Sequence, residues 1–282
     1  MLRDIRELTD EKDAYAAELQ RRWGGLLSYR YIGRNHASMN TGPVDETVTL
    51  RHDMRDATGG VLLSVLMIAS PEGGAVSDLD AVPNPVVHAC HIVDPGLDVT
   101  RIEIRSEQLR RGRQMAYSRS LIVDADDPGR VLALTEGQGA IIGVPPDGLE
   151  KMDVEPIDIT DSPDLPPLWS VFGGSRRDDG HWALAPLATE LASPDGALHI
   201  GPQAVILETA ATELAAERAG TSALRGVASH VMFLARGKVG PFRVDGDAFA
   251  GPDGTVQVRV LLCDEGTEDL TVSTGTYTFR AG

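Results

Sequence analysis

The sequence predicts an α+β fold in which antiparallel strands outnumber helices, and three observations lead to this class. Runs that alternate between apolar and polar residues recur between turn signals such as "DPGLD" and "DDPG", a pattern typical of antiparallel strands. Two other segments are apolar on most sides, "GGVLLSVLMIAS" and "PQAVILETAATELAAERAG", and such helices need cover over most of their surface. The order strand, helix, four strands occurs twice, and Gly60 and Gly201, which open the two predicted helices, lie 141 residues apart.

The composition narrows the classes of protein. The chain has 282 residues and is 42% hydrophobic, which is sufficient for a sizeable core and argues against disorder. The formal net charge of −16 opposes binding to nucleic acid or to an anionic membrane. The charged N-terminus has no apolar signal region, and the longest apolar run is too short to span a bilayer. We therefore expect a soluble cytoplasmic protein in which Cys90 and Cys263 are buried thiols.

The elements are expected in four regions. Residues 1–44 predict a surface helix from Arg3 to Trp23 and an irregular loop. Residues 45–143 predict the first strand, helix and four-strand unit, and residues 144–196, rich in proline and aspartate, predict a linker with some packed elements. Residues 197–282 predict the second unit, in which the strand "ALHIG" leads into a helix that has Pro202 in its first turn and ends at Gly220. A repeat of this length indicates a duplicated domain rather than a solenoid.

The second predicted helix contains one acidic residue, Glu208, inside an otherwise apolar run, "HIGPQAVILETA". A buried carboxylate is costly unless it is paired or used in chemistry. The alternative is that Glu208 lies on an exposed edge of the helix together with Glu213 and Glu217, as most glutamates in the middle of a helix do.

Three stretches resemble the tandem, or double, hot-dog fold of acyl-CoA thioesterases. "HIGPQAVILETA" is similar to the His-Gly-Gly turn that enters the helix of small hot-dog thioesterases, with an acidic residue seven positions after the second glycine. His199, Gly201 and Glu208 take those three places, and Ile200 replaces the first glycine. "VASHVMFLARGKVGPF" resembles the strand after the helix in tandem thioesterases, and "LRRGRQMAYSRSLIVDADDPGRVLAL" resembles the long hairpin of their first repeat.

The resemblance implies a fold and an activity. Each repeat would be a helix wrapped by a curved antiparallel sheet, and two repeats would pair into one continuous sheet. The activity would be hydrolysis of an acyl-CoA, with coenzyme A as part of the substrate and no metal or other cofactor. Glu208 would act as general base or nucleophile, the N–H group of Gly201 would be an oxyanion donor, and His199 would shape the entrance of the site.

The same resemblance implies a substrate-binding surface on the first repeat. Thr58, Gly59 and Gly60, at the facing helix entrance, would approach the Glu208 carboxylate. Arg110, Arg111 and Arg113, in the turn of the long hairpin, would bind the phosphates of coenzyme A.

Departures from the family pattern keep other functions open. In the first repeat Thr58 stands at the histidine place and Met67 at the acidic place, so at most one full carboxylate site remains. This favours an alternative, a non-catalytic protein that binds acyl-CoA or an acyl carrier. A hydratase on the same fold is a third class, but "VPNPVVH" lacks the spacing of the hydratase signature. Edge strands make a homo-oligomer plausible.

Overall fold

The computed structural model describes residues 5–8, 10–40, 46–70, 82–142 and 151–282. The described part begins with a 3-10 turn, Ile5–Leu8, which is followed by two helices, α1 (Lys12–Gly24) and α2 (Leu27–Ile32). On α1, Tyr15, Leu19 and Trp23 are buried, as the apolar stripe predicted, although the helix begins later than Arg3. A short strand, β1 (His36–Asn40), pairs with β7 (Lys151–Asp153) in a separate two-stranded sheet.

The remaining strands form one antiparallel sheet of eleven strands. The N-terminal half, residues 46–142, contributes β2 (Glu46–Thr49), α3 (Leu63–Ala69), β3 (Val82–Ile92), β4 (Arg101–Arg111), β5 (Met115–Asp124) and β6 (Val131–Ile142). The C-terminal half, residues 168–281, contributes α4 (Leu168–Val171), β8 (Gly174–Arg176), β9 (Trp182–Leu184), α5 (Ile200–Ala219), β10 (Leu224–Phe233), β11 (Phe242–Ala250), β12 (Val256–Asp264) and β13 (Leu270–Ala281).

The strand order of the sheet is mirrored about its centre. From one edge the order is β2-β4-β5-β6-β3, and from the other, after β8, it is β9-β11-β12-β13-β10. The two halves meet where β3 pairs with β10, and Ala89 lies opposite His230 in that antiparallel register. This is the double hot-dog arrangement, and it confirms the predicted fold class. The repeat boundaries at 45–143 and 197–282 remain predictions.

The strand β9 corrects one detail of the predicted second unit. "ALHIG" does not enter the sheet, because Leu198 makes only an isolated bridge with Ala192 and His199 already caps the next helix. The sheet position that mirrors β2 is occupied by β9, which comes from the region predicted as a linker and pairs with β11.

The two apolar helices lie against the sheet and against each other. All seven residues of α3 are buried, and the first nine residues of α5, Ile200–Glu208, are buried as well. The helix α5 packs on β10 to β13 and on α3, and it ends at Gly220, whose φ of 71° is the left-handed conformation that glycine adopts readily. The packing of α3 on α5 brings residues of both halves together at the site described below.

Two smaller observations concern the cysteines and the length of the helices. Cys90 and Cys263 are free and buried, as predicted. In the part of the chain that the structure describes, none of the helices combines the length and the apolar character needed to cross a membrane.

Candidate active site

The carboxylate of Glu208 lies at the junction of the two halves. Its side chain is buried, with the residue only 4% exposed. Oε1 accepts a hydrogen bond of 2.9 Å from the N–H group of Leu63, and Oε2 accepts one of 2.7 Å from the N–H group of Ser64. An acidic side chain on α5 therefore binds the first turn of α3 through both of its oxygens.

The sequence of α3 explains why its first turn binds this carboxylate. The first N–H groups of a helix have no partner within the helix, and the residue at the N-cap position, Leu62, has no side chain that could accept them. A negative charge near a helix N-terminus is also favoured by the helix dipole. Glu208 thus supplies from the other half of the molecule the acceptor that α3 lacks.

The environment of Glu208 shifts its acidity. Burial raises the pKa of the Glu208 carboxyl above its ordinary value of 4.5, while hydrogen bonds from the Ser64 side chain and from the N–H groups of Ser64 and Leu63 oppose that rise. The nearby carboxylate of Asp56 raises the pKa further. A carboxylate that is held in place and has a raised pKa is suited to act as a general base near neutral pH.

Glu208 opens onto a cavity of about 370 Å³ between the two halves, which we call the Glu208 cavity. One wall is the face of α5 that carries Val205, Glu208, Thr209, Thr212, Glu213 and Ala216. The opposite wall comes from the N-terminal half, with Asp53, Arg55, Ala57, Leu62 and Ser64. Pro167, Leu168 and Trp169, at the start of α4, and Ser222 complete the lining.

Several of these residues could not be assigned to the site from sequence. The Pro167–Trp169 segment belongs to the region predicted as a linker, and Ser64 belongs to a helix chosen only for its apolar character. The tryptophan in "PPLWS" was a usable signal, since a large aromatic residue in a proline-rich stretch has to pack against another part of the molecule.

His199 and Gly201 have a different place from the one predicted. His199 is the N-cap of α5, and its Nδ1 accepts the N–H group of Gly201 at 3.3 Å. The same nitrogen is 3.0 Å from the hydroxyl of Ser28, and the ring of Tyr29 meets the imidazole edge-on at 5.0 Å. Neither His199 nor Gly201 lines the Glu208 cavity.

In this structure the N–H group of Gly201 donates to His199, and its role as an oxyanion donor stays a prediction. The glycine is also required for packing, since a Cβ at position 201 would lie 2.5 Å from the Cβ of Ser28. Burial lowers the pKa of His199 to about 3, with a further contribution from Arg236, so the imidazole is neutral and acts as an acceptor.

The facing helix entrance also differs from the prediction. Oδ1 of Asp56 accepts the N–H group of Thr58 at 2.8 Å and that of Gly60 at 3.0 Å. The N–H group of Gly59 donates to the carbonyl of Asp56. Thr58, Gly59 and Gly60 therefore form a closed turn, and the groups that reach Glu208 are those of Leu63 and Ser64.

The arginines of the long hairpin lie away from the Glu208 cavity. Arg110 and Arg113 are exposed and Arg111 is partly exposed, around the turn between β4 and β5, and none of the three lines that cavity. A role in binding coenzyme A remains a prediction. Among the described residues, no group of three or more histidine, cysteine or acidic side chains is arranged to hold a metal ion.

Comparisons with known proteins support the fold. No protein-family model and no curated protein sequence matches this chain. Among solved structures, the tesB protein of Mycobacterium avium subspecies paratuberculosis superposes with a TM-score of 0.57 at 13% identity, covering 84% of this chain and 92% of that one. A 12:0-ACP thioesterase from Umbellularia californica gives 0.56 at 11% identity, covering 85% and 94%.

A third solved structure carries the name of the fold. A conserved protein of unknown function with a hot dog fold from Alicyclobacillus acidocaldarius has a TM-score of 0.55 at 12% identity, with 86% of this chain and 96% of that one covered. At these identities the comparisons show the fold, which is the hot-dog fold, and each covers more than four fifths of this chain.

Proposed function

We propose that this protein is a thioester hydrolase that cleaves acyl-CoA. The observation that carries the proposal is the buried Glu208 carboxylate, held by the N–H groups of Leu63 and Ser64 and open to the cavity between the halves. Solved structures of similar fold are described as thioesterases acting on acyl-CoA or acyl-ACP, which supports thioester hydrolysis at the level of the fold.

In the proposed reaction Glu208 is the general base. It takes a proton from a water molecule while the water oxygen adds to the thioester carbonyl carbon. The tetrahedral intermediate then expels the sulfur as the carbon–sulfur bond breaks, and the protonated Glu208 returns its proton to the thiolate. The products are a carboxylic acid and the free thiol of coenzyme A, and the carboxylate is regenerated.

Ser64 has a part in the same step. In the resting site its side chain hydrogen-bonds to Glu208. When Glu208 becomes protonated, the hydroxyl of Ser64 loses its charged acceptor and is free to donate to the oxyanion on the former carbonyl oxygen. Glu208 therefore moves the proton, and the Ser64 hydroxyl stabilises the negative charge that this transfer creates on the oxygen.

The acyl group occupies the Glu208 cavity in this proposal. Its volume of about 370 Å³ falls within the range of roughly 300–1,000 Å³ typical of small-molecule sites. Leu62, Leu168, Trp169 and Val205 supply apolar lining, which favours an acyl chain over bulk water. We place the reaction in the cytoplasm, because two free cysteine thiols fit a reducing compartment.

A specific observation favours a second function, binding of acyl-CoA or an acyl carrier without hydrolysis. The N–H groups of Gly201, Thr58 and Gly60 are all bonded to acceptors within the chain. An oxyanion site built from those backbone donors is therefore not formed, and hydrolysis depends on Ser64 for this task.

A thiol-release assay over a panel of acyl-CoA substrates tests the proposal. We expect Glu208→Gln to lower kcat/KM by roughly 10²–10⁴-fold, the usual contribution of a general base. The matched control is Glu190→Gln, since Glu190 is exposed and does not line the cavity; it should leave kcat/KM unchanged. Binding of acyl-CoA without thiol release by the wild-type protein would replace hydrolysis with the binding function.

A further inference from the structure

A second cavity lies next to the Glu208 cavity on the same helix. It has a volume of about 220 Å³, and Ala210, Leu214 and Val244 give it an apolar floor between α5 and β11. Its rim is charged, with Arg176, Asp179, His181, Glu217 and Asp245 among the lining residues. The Glu208 cavity and this second cavity have one lining residue in common, Glu213.

Three side chains separate the two cavities, and we call them the partition: Trp169, Trp182 and Glu213. Trp169 lines the Glu208 cavity, Trp182 lines the second cavity, and their rings meet edge to face with centroids 5.0 Å apart. The indole N–H group of Trp182 donates to Oε2 of Glu213. Oε1 of Glu213 pairs with Arg176 at 2.7 Å.

The partition is built from parts of the chain that are distant in sequence. Trp169 is on α4, Trp182 begins β9, and Glu213 lies on α5 about 7.5 Å of helix rise beyond Glu208. Its members hold one another through the ring contact and the hydrogen bond, and Arg176 braces Glu213 from outside. A chain that starts at Glu208 and runs toward Trp169 and Glu213 therefore meets a braced aromatic wall, and the second cavity lies behind that wall.

We propose that the partition sets the longest acyl chain that the protein accepts. This inference rests on the proposed function, in which the acyl group fills the Glu208 cavity. Burial of each methylene contributes about fourfold in affinity, so longer chains gain until the chain end reaches Trp169. Beyond that point an additional methylene has to displace the ring pair or lie against the charged groups that hold it.

Substitution of the tryptophans tests the proposal through the dependence of kcat/KM on chain length, measured on straight-chain substrates from butanoyl-CoA to palmitoyl-CoA. In the wild type we expect kcat/KM to rise with each methylene and then to stop rising. In Trp169→Ala and Trp182→Ala the rise should continue over at least two further methylenes, because the apolar floor of the second cavity becomes accessible. After normalisation to butanoyl-CoA, kcat/KM for a substrate two methylenes beyond the wild-type limit should be about fifteenfold higher in these variants than in the wild type.

Two further variants separate the partition from general effects of removing an aromatic ring. Trp182→Phe keeps a ring against Trp169 and should keep the wild-type limit. Phe249→Ala removes an exposed ring on β11 that lines neither cavity and should also keep it. Circular dichroism confirms that each variant is folded, and Trp169→Leu replaces Trp169→Ala if the alanine variant is unfolded.

Binding of non-hydrolysable S-alkyl-CoA thioethers, measured by calorimetry, gives a readout that does not depend on hydrolysis. The affinity should show the same break at the same chain length, and the break should move in Trp169→Ala and Trp182→Ala. A wild type that binds the thioethers but releases no thiol would refute the proposed function and leave the partition testable. An unchanged length limit in folded Trp169 and Trp182 variants would refute the partition.

Discussion

The entrances of the two principal helices, α3 and α5, are completed in opposite ways. The first turn of α5 is capped by its own histidine, since Nδ1 of His199 accepts the N–H group of Gly201. The first turn of α3 has no side-chain acceptor of its own and instead receives the carboxylate of Glu208 from the other half. The two halves share the same strand order, but α5 is capped by its own residue, whereas α3 is capped by a residue of the other half.

This difference explains where chemistry is possible. The entrance of α5 is closed, with a neutral imidazole packed between Ser28 and Tyr29. The entrance of α3 holds a carboxylate with a raised pKa beside a cavity. The position that mirrors Glu208 is Met67, which is buried, so a second carboxylate is absent at that position. Of these two mirrored positions, only the one on α5 therefore carries a carboxylate.

The largest expected effect that tests this comparison is a loss of stability in acid. Each half contains a buried histidine that is neutral in the folded state. His199 caps α5, and Nε2 of His88 donates to the carbonyl of Ser70 just after α3. Burial lowers the pKa of His199 to about 3 and that of His88 to about 4, from 6.5. Because both pKa values are lower in the folded state, the unfolded chain binds these protons first.

The stabilisation from each histidine is therefore fully present above pH 6.5 and is lost as the pH falls toward the folded-state pKa. Because each histidine is protonated in the unfolded chain at pH 5 but not in the folded chain, each should lower the free energy of unfolding by about 2 kcal/mol relative to neutral pH. Urea unfolding at pH 7 and pH 5 measures the loss, and His88→Gln and His199→Asn should each remove about 2 kcal/mol of it. If both variants lost as much unfolding free energy between pH 7 and pH 5 as the wild type, the two histidines would not be the cause of the acid sensitivity.

A smaller effect tests whether the entrance of α5 is structural. His199→Ala removes the cap and should lower the unfolding free energy by about 1 kcal/mol, with an added loss from the contact to Tyr29. His199→Asn supplies another good capping residue and should recover part of that loss. Neither variant should change kcat/KM for butanoyl-CoA, because His199 does not line the Glu208 cavity. Loss of activity in a stable His199→Asn variant would return this histidine to the active site.

The smallest effect concerns the entrance of α3. A general base must be deprotonated, so kcat/KM should fall as the pH drops through the pKa of Glu208, which burial raises above 4.5. The hydrogen bond from the Ser64 side chain lowers that pKa, and its removal in Ser64→Ala should move the acid limb to higher pH. The pH profile of kcat/KM measures the change, and an acid limb at the same pH in both proteins would exclude Ser64 as a partner of the base.

Much of the fold follows from local patterns. Alternation marked the long strands, and the ordered recurrence of strand, helix and four strands indicated two paired units. The exception is the strand beside β11. "ALHIG" has the expected alternation, but its backbone is used by the bridge from Leu198 and by the cap at His199. The shorter strand β9 takes its place, and which of two short segments joins a sheet edge depends on tertiary packing.

The candidate site was predictable only in part. Glu208 could be singled out because an acid in an apolar run requires a partner or a use. The identity of the partner depends on which N–H groups remain free, and Asp56 takes those of Thr58 and Gly60. "DATGG" contains the signal for this turn, since an aspartate readily accepts N–H groups a few residues later. The tryptophan in "PPLWS" signals only that Trp169 packs against some other part of the molecule, and its place at this site depends on tertiary packing that no local pattern encodes.

The edges of the large sheet bear on how copies of this chain can assemble. The outermost strands are β2, with four residues, and β8, with three. Short terminal strands leave little backbone for another chain to pair with, which is a common protection against uncontrolled edge-to-edge growth. Within the described residues, another copy of this chain would therefore find only a few backbone groups at either edge through which it could extend the sheet.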